Sequence, residues 1–316
     1  MKYDQLELAR IIGQPVDPRK PYTDLIDLIC ETDTATPEDY IYYFDVLVET
    51  EKIFALSAGG DIQQENVQLD TPAQISFTDL ATPEYYLKIT DLANRKEDAI
   101  ARKNKTINRA LNAYENYKVI DLLNTAATGI GNTNTLGSGF TRFSFPHLIN
   151  MLEQVQDYGD SYVLVVGSQI DKDIILWDWN DNKYHSLSEA LADLNIKKIR
   201  IGLGAAARTF NLATAASGGS TPTSVDILAT NTAYLVATST EAGKPLLFVR
   251  KQIDDMKALG GVLAEGGDKP QRLVFVSPNP ITVTGTARYL AVGMTGYEQI
   301  ALAVVNPYAV SKFTRT

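Results

Sequence analysis

Apolar and polar residues alternate with period two over the first third of the chain, then change near residue 90 to a helical period. From Tyr40 the residues Tyr40, Tyr42, Phe44, Val46 and Val48 fall on one face, with Asp45, Glu49 and Glu51 opposite, which predicts a long strand over 40–56. A polar segment, 57–71, carries Gly59-Gly60-Asp61 and is closed by Pro72. A second alternating run comes next, with Ile75 and Phe77 and then Tyr85, Leu87 and Ile89. Two long strands around a glycine-bearing tip predict an extended hairpin over 45–89. A lone two-stranded ribbon is marginal in water, so its apolar face calls for a surface supplied by something else.

The next 34 residues, 94–127, contain neither Pro nor Gly. As one helix they would be about 50 Å long. Asn94 with Glu97 fits a capping box, and Thr128-Gly129 supplies a stop. Ile100, Ile107, Leu111 and Tyr114 make one apolar stripe, with Arg95, Arg102, Lys105 and Arg109 roughly opposite. From Val119 to Leu123 the helix is apolar nearly all round, so it is expected to leave a core and span outward as a beam. A coiled coil would need a partner helix of similar length, and the chain has none.

Before the hairpin, 1–39 holds two short amphipathic pieces, 3–12 and 22–30, separated by Gly13, Pro15, Pro18 and Pro21, and reads as an arm. After the helix, a Gly/Asn/Thr/Ser linker (130–139) leads to an amphipathic helix over 146–158. Short strands (162–166, 174–179, 198–201) then alternate with a helix (188–194), the pattern of an α/β lobe. Two loops, 217–224 and 260–269, interrupt further strand-like runs at 225–237 and 246–249. The chain ends in strands at 272–276, 281–286, 287–294 and 299–305.

Composition narrows what such a chain does. At 316 residues and 45% hydrophobic content it can bury a sizeable core. With 29 Lys and Arg against 38 Asp and Glu, the net charge of −9 excludes nucleic-acid binding by bulk charge. The lone Cys30 closes the series Leu25, Ile26, Leu28, Ile29, where a buried small hydrophobe is expected rather than a nucleophile. The start Met1-Lys2-Tyr3-Asp4 opens no signal peptide and no apolar run approaches ~18 residues, so the expectation is a soluble protein without a membrane span.

Three candidate chemistries arise. Gly202-Leu203-Gly204-Ala205-Ala206-Ala207 approximates a dinucleotide fingerprint with Asp226 as the ribose acid, but the glycine-rich 217–223 segment cannot complete a βαβ crossover. Asp178, Asn180, Asn182 and Glu189 match positions of a calcium loop. Against it, Lys183 replaces the turn glycine and no helix is expected before it, so a hairpin turn at 180–183 is preferred. His147 and His185, the two histidines, sit in unrelated segments. The expectation is no catalytic centre, no cofactor and no metal.

In order of parts the chain resembles a tailed-bacteriophage major capsid protein of the Hong Kong 97 fold. The resemblance rests on the arm, the two-stranded loop, the long helix 94–127, the loop-rich second half, and endings such as Thr284-Gly285-Thr286-Ala287-Arg288-Tyr289 and Val304-Val305-Asn306-Pro307-Tyr308-Ala309-Val310. It implies an α+β fold with an N-terminal arm (1–44), extended loop (45–90), peripheral domain with spine helix (91–160), axial domain (161–271) and return strands (272–316). It further implies self-assembly in the host cytoplasm into hexamers and pentamers of an icosahedral virion shell around double-stranded DNA, with portal and scaffolding or decoration proteins as partners. A cargo compartment of the encapsulin type is the alternative within the same architecture. The expected intersubunit contacts are Phe44, Val46, Val48, Glu49, Glu51, Gly59, Gly60 and Asp61 on the hairpin and Arg95, Arg102, Lys105 and Arg109 on the helix. For the basic edge, a solvated face, an acidic neighbouring arm and packaged DNA are the three readings; interleaved Glu97 and Asp98 favour the neighbour.

Overall fold

The computed structural model describes residues 25–44, 73–82, 85–137, 139–177, 187–201, 209–212, 223–239, 243–253, 272–277, 281–282, 288–289 and 291–315. A single long helix, α2 (Ile89–Ile130, 42 residues), crosses two β-sheets. At 1.5 Å per residue it is about 63 Å long. It starts five residues before the capping box expected at Asn94, directly out of β5 (Tyr85–Lys88), so Asn94 and Glu97 lie inside it. It also runs past Thr128-Gly129 and ends at Gly131, whose φ of +80° is the left-handed conformation that stops a helix without a Cβ penalty.

The first sheet is built on β16 (Ala291–Val304), a 14-residue strand. The sequence pattern predicts two strands here, 287–294 and 299–305. They are continuous because β16 pairs antiparallel along its length with β4 (Thr78–Ala81), β5, β12 (Leu246–Lys251) and β13 (Arg272–Ser277). A short helix, α1 (Leu25–Ile29), leads into β1 (Cys30–Ala35), which extends the sheet parallel to β12. Thus the end of the expected arm is part of the core, and Cys30 is buried there. One face of this sheet receives α2. On the other lies a ribbon of β2 (Ile41–Phe44) and β3 (Ala73–Ser76), whose Tyr42, Phe44 and Ile75, with Phe77, pack on Ala35, Leu247, Val249, Ala301 and Ala303.

The second sheet has the order β6 (Thr133–Thr135), β17 (Val310–Thr314), β11 (Thr232–Thr238), β7 (Ser161–Val166), β8 (Ile196–Arg200). Alternation along β7 and β11 divides it cleanly. Val163, Val165, Tyr234 and Val236 join the core containing Val119, Leu123 and Ala127 of α2. Leu164, Val166, Ala233 and Leu235 face α3 (Phe145–Val155) and α4 (Ser168–Ile175). Residues 174–179, expected as a strand, instead contain the end of α4. Ile170 and Ile174, four apart, are its buried stripe, and the helical period there outweighs the local apolar run. α5 (Leu187–Asp193) precedes β8 as predicted.

At the start of α3, the Ser144 N–H donates to His147 Nδ1 at 3.2 Å and the Ser144 hydroxyl lies 2.7 Å from the same atom. An accepting Nδ1 requires a neutral ring, and burial holds His147 below the usual histidine pKa. Ser144→Ala is expected to cost about 1 kcal/mol, as loss of a cap does. A depressed base pKa means stability is retained above the ordinary histidine pKa and lost as pH falls through the folded value. Urea midpoints followed between pH 7 and 5 should therefore fall, and fall less in a His147→Phe variant.

Candidate assembly surfaces

The ribbon β2–β3 is where the expected contact surface meets the described structure. Registers Ile41↔Ser76 and Phe44↔Ala73 set Tyr42 and Phe44 inward and Ile41 and Tyr43 outward. Its base is fixed to the chain's own sheet by polar contacts as well. The Tyr42 hydroxyl donates to Asp33 of β1, a bond that together with burial pushes the phenol up to about 12. The Lys251 ammonium sits 5.0 Å from the Tyr40 ring and 5.6 Å from that of Phe77. Phe44, read in the sequence as a contact for a neighbouring subunit, is half-buried against this sheet. The reason is that β12 and β16 present Val249, Ala301 and Ala303, an apolar shelf the local pattern could not reveal.

What the ribbon leaves open is its outer face, where Tyr43 is 59% exposed and Ile41 is also exposed; Tyr40, just before β2, is 83% exposed. Val46, Val48, Glu49, Glu51, Gly59, Gly60 and Asp61 lie outside the described residues. On α2, Arg109 is exposed, while the side chains of Arg95, Arg102 and Lys105 lie outside the described set. The other exposed large apolar side chains among the described residues include Phe140, Ile175, Leu176 and a stacked pair, Tyr158 and Tyr308, with centroids 5.6 Å apart.

Beneath α2 lies a group of charges that sequence reading did not bring together. Glu115 and Glu298 are almost wholly buried, and Arg250 and Arg272 lie between them. Arg250 donates to Glu115 Oε1 from Nε (3.1 Å) and Nη2 (2.9 Å). Arg272 donates from Nε to Glu298 (2.5 Å) and from Nη1 to Asn112 Oδ1 (2.7 Å), and its Nη2 lies 3.2 Å from Glu115 Oε2 without hydrogen-bond alignment. Direct pairing of Arg272 with Glu298 and of Arg250 with Ile300 puts these side chains on the sheet face under α2. Burial, then the nearby Glu115, raises the Glu298 pKa against the pull of Arg272 and Arg250. Two positive and two negative charges balance, so the cluster acts as a polar clamp between helix and sheet.

The alternative chemistries can be placed too. Gly202 to Ala207 lie outside the described residues, but the next described elements form an antiparallel ribbon, β9 (Thr209–Leu212) with β10 (Thr223–Asp226), where a dinucleotide fold needs a crossover helix. Asp226 is exposed at its end. Asp178, Asn180, Asn182 and His185 also lie outside the described residues. Contrary to expectation a helix, α4, does precede that segment, while Lys183 still occupies the position a calcium loop gives to glycine. Among the described residues no three His, Cys, Asp or Glu gather as metal ligands, and no helix is long and apolar enough to cross a membrane.

No protein-family model matches the chain, and no curated protein matches it. Solved structures do. A structure from Mycobacterium phage Cain aligns over 100% of this chain and 99% of its own, with TM-score 0.59 and 11% identity. The capsid of cyanophage P-SCSP1u covers 93% of this chain and 89% of its own (TM-score 0.52, 11% identity). The mature capsid of bacteriophage PhiM1 covers 90% and 85% (TM-score 0.53, 9% identity). At such identity the likeness speaks for backbone architecture alone, and it extends over nearly the whole chain. The protein therefore has the α+β fold of bacteriophage capsid proteins, the Hong Kong 97-type architecture that its order of elements led us to expect.

Proposed function

We propose that this chain is a major capsid protein, a structural and non-enzymatic subunit that assembles with itself into the hexamers and pentamers of an icosahedral phage shell enclosing double-stranded DNA. The observation that carries the reading is the match over 90% or more of the chain to phage structures, two of them capsids, by a fold organised on one long helix across two sheets. The exposed Ile41 and Tyr43 on the outer face of the ribbon, and the hairpin residues from Val46 to Asp61 beyond it, are the contacts we assign to a neighbouring subunit. Arg95, Arg102, Lys105 and Arg109 are assigned to the same role, with the lumenal DNA held without sequence specificity. Assembly in the host cytoplasm, with portal and scaffolding or decoration proteins, completes the proposal.

Sedimentation and negative-stain imaging of purified protein test it: rings, capsomers or closed particles are expected, and a monomer or dimer that persists at high concentration would refute it. Nucleic acid inside native particles distinguishes a virion from a cargo compartment. A second measurement tests the hairpin. Replacing residues 45–72 with a short Gly-Ser turn retains Phe44, Ile75 and Phe77 on their own sheet, so the trimmed chain should fold with an unchanged circular dichroism spectrum. It should fail to close into particles; normal particles from the trimmed chain would remove the hairpin from the interface.

A further inference from the structure

The face that α2 turns to the sheets is written in two columns with a four-residue step. One column is Ile107, Leu111, Glu115, Val119, Leu123 and Ala127, every member buried. The other begins Asn104, Asn108, Asn112 and Asn116 and continues through Ile120 to Asn124 and Thr128. Residues four apart on a helix lie one above the other, so moving the middle of α2 by one turn, about 5.4 Å, with the change in length taken up where it leaves β5 and where it ends at Gly131, places each residue where its neighbour stood.

Over Asn104, Asn108, Asn112 and Asn116, and where Leu111 would take the place of Ile107, that exchange is like for like. Arg272 Nη1 already straddles two asparagines, 2.7 Å from Asn112 Oδ1 and 3.5 Å from Asn108 Oδ1. After a step toward the helix N-terminus, Asn116 would stand in the place of Asn112. Its Oδ1 is buried and has no hydrogen-bond partner among the described residues, and Arg272 Nη2, 3.2 Å from Glu115 Oε2, is a buried donor without hydrogen-bond alignment. The sheet surface under this stretch is equally tolerant. Gly296 opens the slot that takes Ile107, with Leu111 beside it, and the step would bring Leu111 into that slot. Lys312, which donates to Asn124 Oδ1 at 2.7 Å, would meet the Thr128 hydroxyl instead.

Three positions break the repetition. Ile120 would give way to Asn124, the buried Leu123 to the smaller Ala127, and Glu115 would leave Arg250 and Arg272 to face Val119 while itself entering the apolar place of Leu111. Glu115 carries the largest penalty, because the step would strand buried charge on both sides. Setting register is the best-attested use of a buried polar group. We propose that α2 is a two-register beam: the asparagine column and the Gly296 slot accept two positions one turn apart, and Glu115, clamped by Arg250 and Arg272, selects the one observed.

Helix register is a property of the single folded subunit and is independent of shell assembly, so free subunits test it. Nitroxide labels at the exposed Arg109 of α2 and the exposed Asp157 of the turn Gln156–Tyr158, with buried Cys30 left in place, report the helix position by pulsed electron–electron resonance. The parent should give one distance. Glu115→Leu, which makes the first column wholly apolar, should add a second population displaced by about 5 Å. Adding Asn116→Leu should suppress that population. If Glu115→Leu fails to fold, the Glu115→Leu, Arg250→Leu double variant removes the stranded guanidinium and carries the same expectation. A single unshifted distance in whichever variant folds, or a second population indifferent to Asn116→Leu, overturns the proposal.

Discussion

Replacing Arg272 with alanine is expected to remove about 4 kcal/mol of folding stability at neutral pH, within the range for breaking a buried ion pair by deleting one partner. The deletion strands more than one group. Glu298, 0% exposed, loses its Nε donor, Glu115 loses its second cation, and Asn112 loses the bond to Nη1. Arg250 remains on Glu115 and, with a side chain 27% exposed, is partly solvated, which limits the loss to one broken pair. The deficit should depend on pH. Glu298 has a raised folded-state pKa, so its protonated form is favoured by folding; that contribution is full below the ordinary carboxylate pKa and disappears as pH rises through the folded value. At neutral pH the ionised carboxylate is thus a cost that Arg272 offsets. Urea unfolding of subunits should show a smaller deficit for Arg272→Ala at pH 5 than at pH 7. Equal deficits would mean that the clamp contributes packing and little charge compensation.

That clamp marks the limit of what local pattern reveals. Glu115 and Arg250 are 135 residues apart, and Arg272 and Glu298 are 26 apart. Each looks like an ordinary surface charge in its own segment, and only strand register sets them on one face. The long helix was legible because an unbroken stretch without Pro or Gly is a local property. Its first residues were not, since Tyr85, Leu87 and Ile89 alternate like a strand up to the point where β5 becomes α2. The gap left between the expected strands 287–294 and 299–305, which β16 closes, holds Gly296 for a related reason. A glycine inside a strand signals either an end or a close approach, and here Gly296 makes room for Ile107. The fold class was legible from the order of elements. Of the ribbon, local alternation marks the two strands but not which face the chain covers with its own sheet: the Val249, Ala301 and Ala303 shelf under Phe44 is assembled from strands more than 200 residues downstream.

Phe143→Ala is expected to cost about 4 kcal/mol, in the range of large-to-small changes at a fully buried aromatic site. Phe143 is 0% exposed and lies in 139–144, a stretch with no helical or strand period, so nothing in its neighbourhood advertises a core residue. Its ring meets Phe313 edge-on at 4.7 Å and lies 5.9 Å from Trp177. Its backbone is held at both ends: the N–H donates to Asp173 Oδ2 (2.9 Å), and the carbonyl accepts from Trp177 Nε1 (2.9 Å). Asp173 is in turn paired with Arg315 at 2.7 Å, so one buried carboxylate joins α4, the segment before α3 and the strand end after β17. Because those polar bonds use only the Phe143 backbone, they survive truncation, and the loss isolates the ring's packing. In a Trp179→Phe background, where Trp177 is the sole tryptophan, its emission should shift to longer wavelength as water enters the vacated volume. Phe313→Ala should reproduce both effects, and the double variant should lose less than the sum of the two, since the rings share one contact. Additive losses would show that the two rings are anchored independently and that the cluster is not a single packing unit.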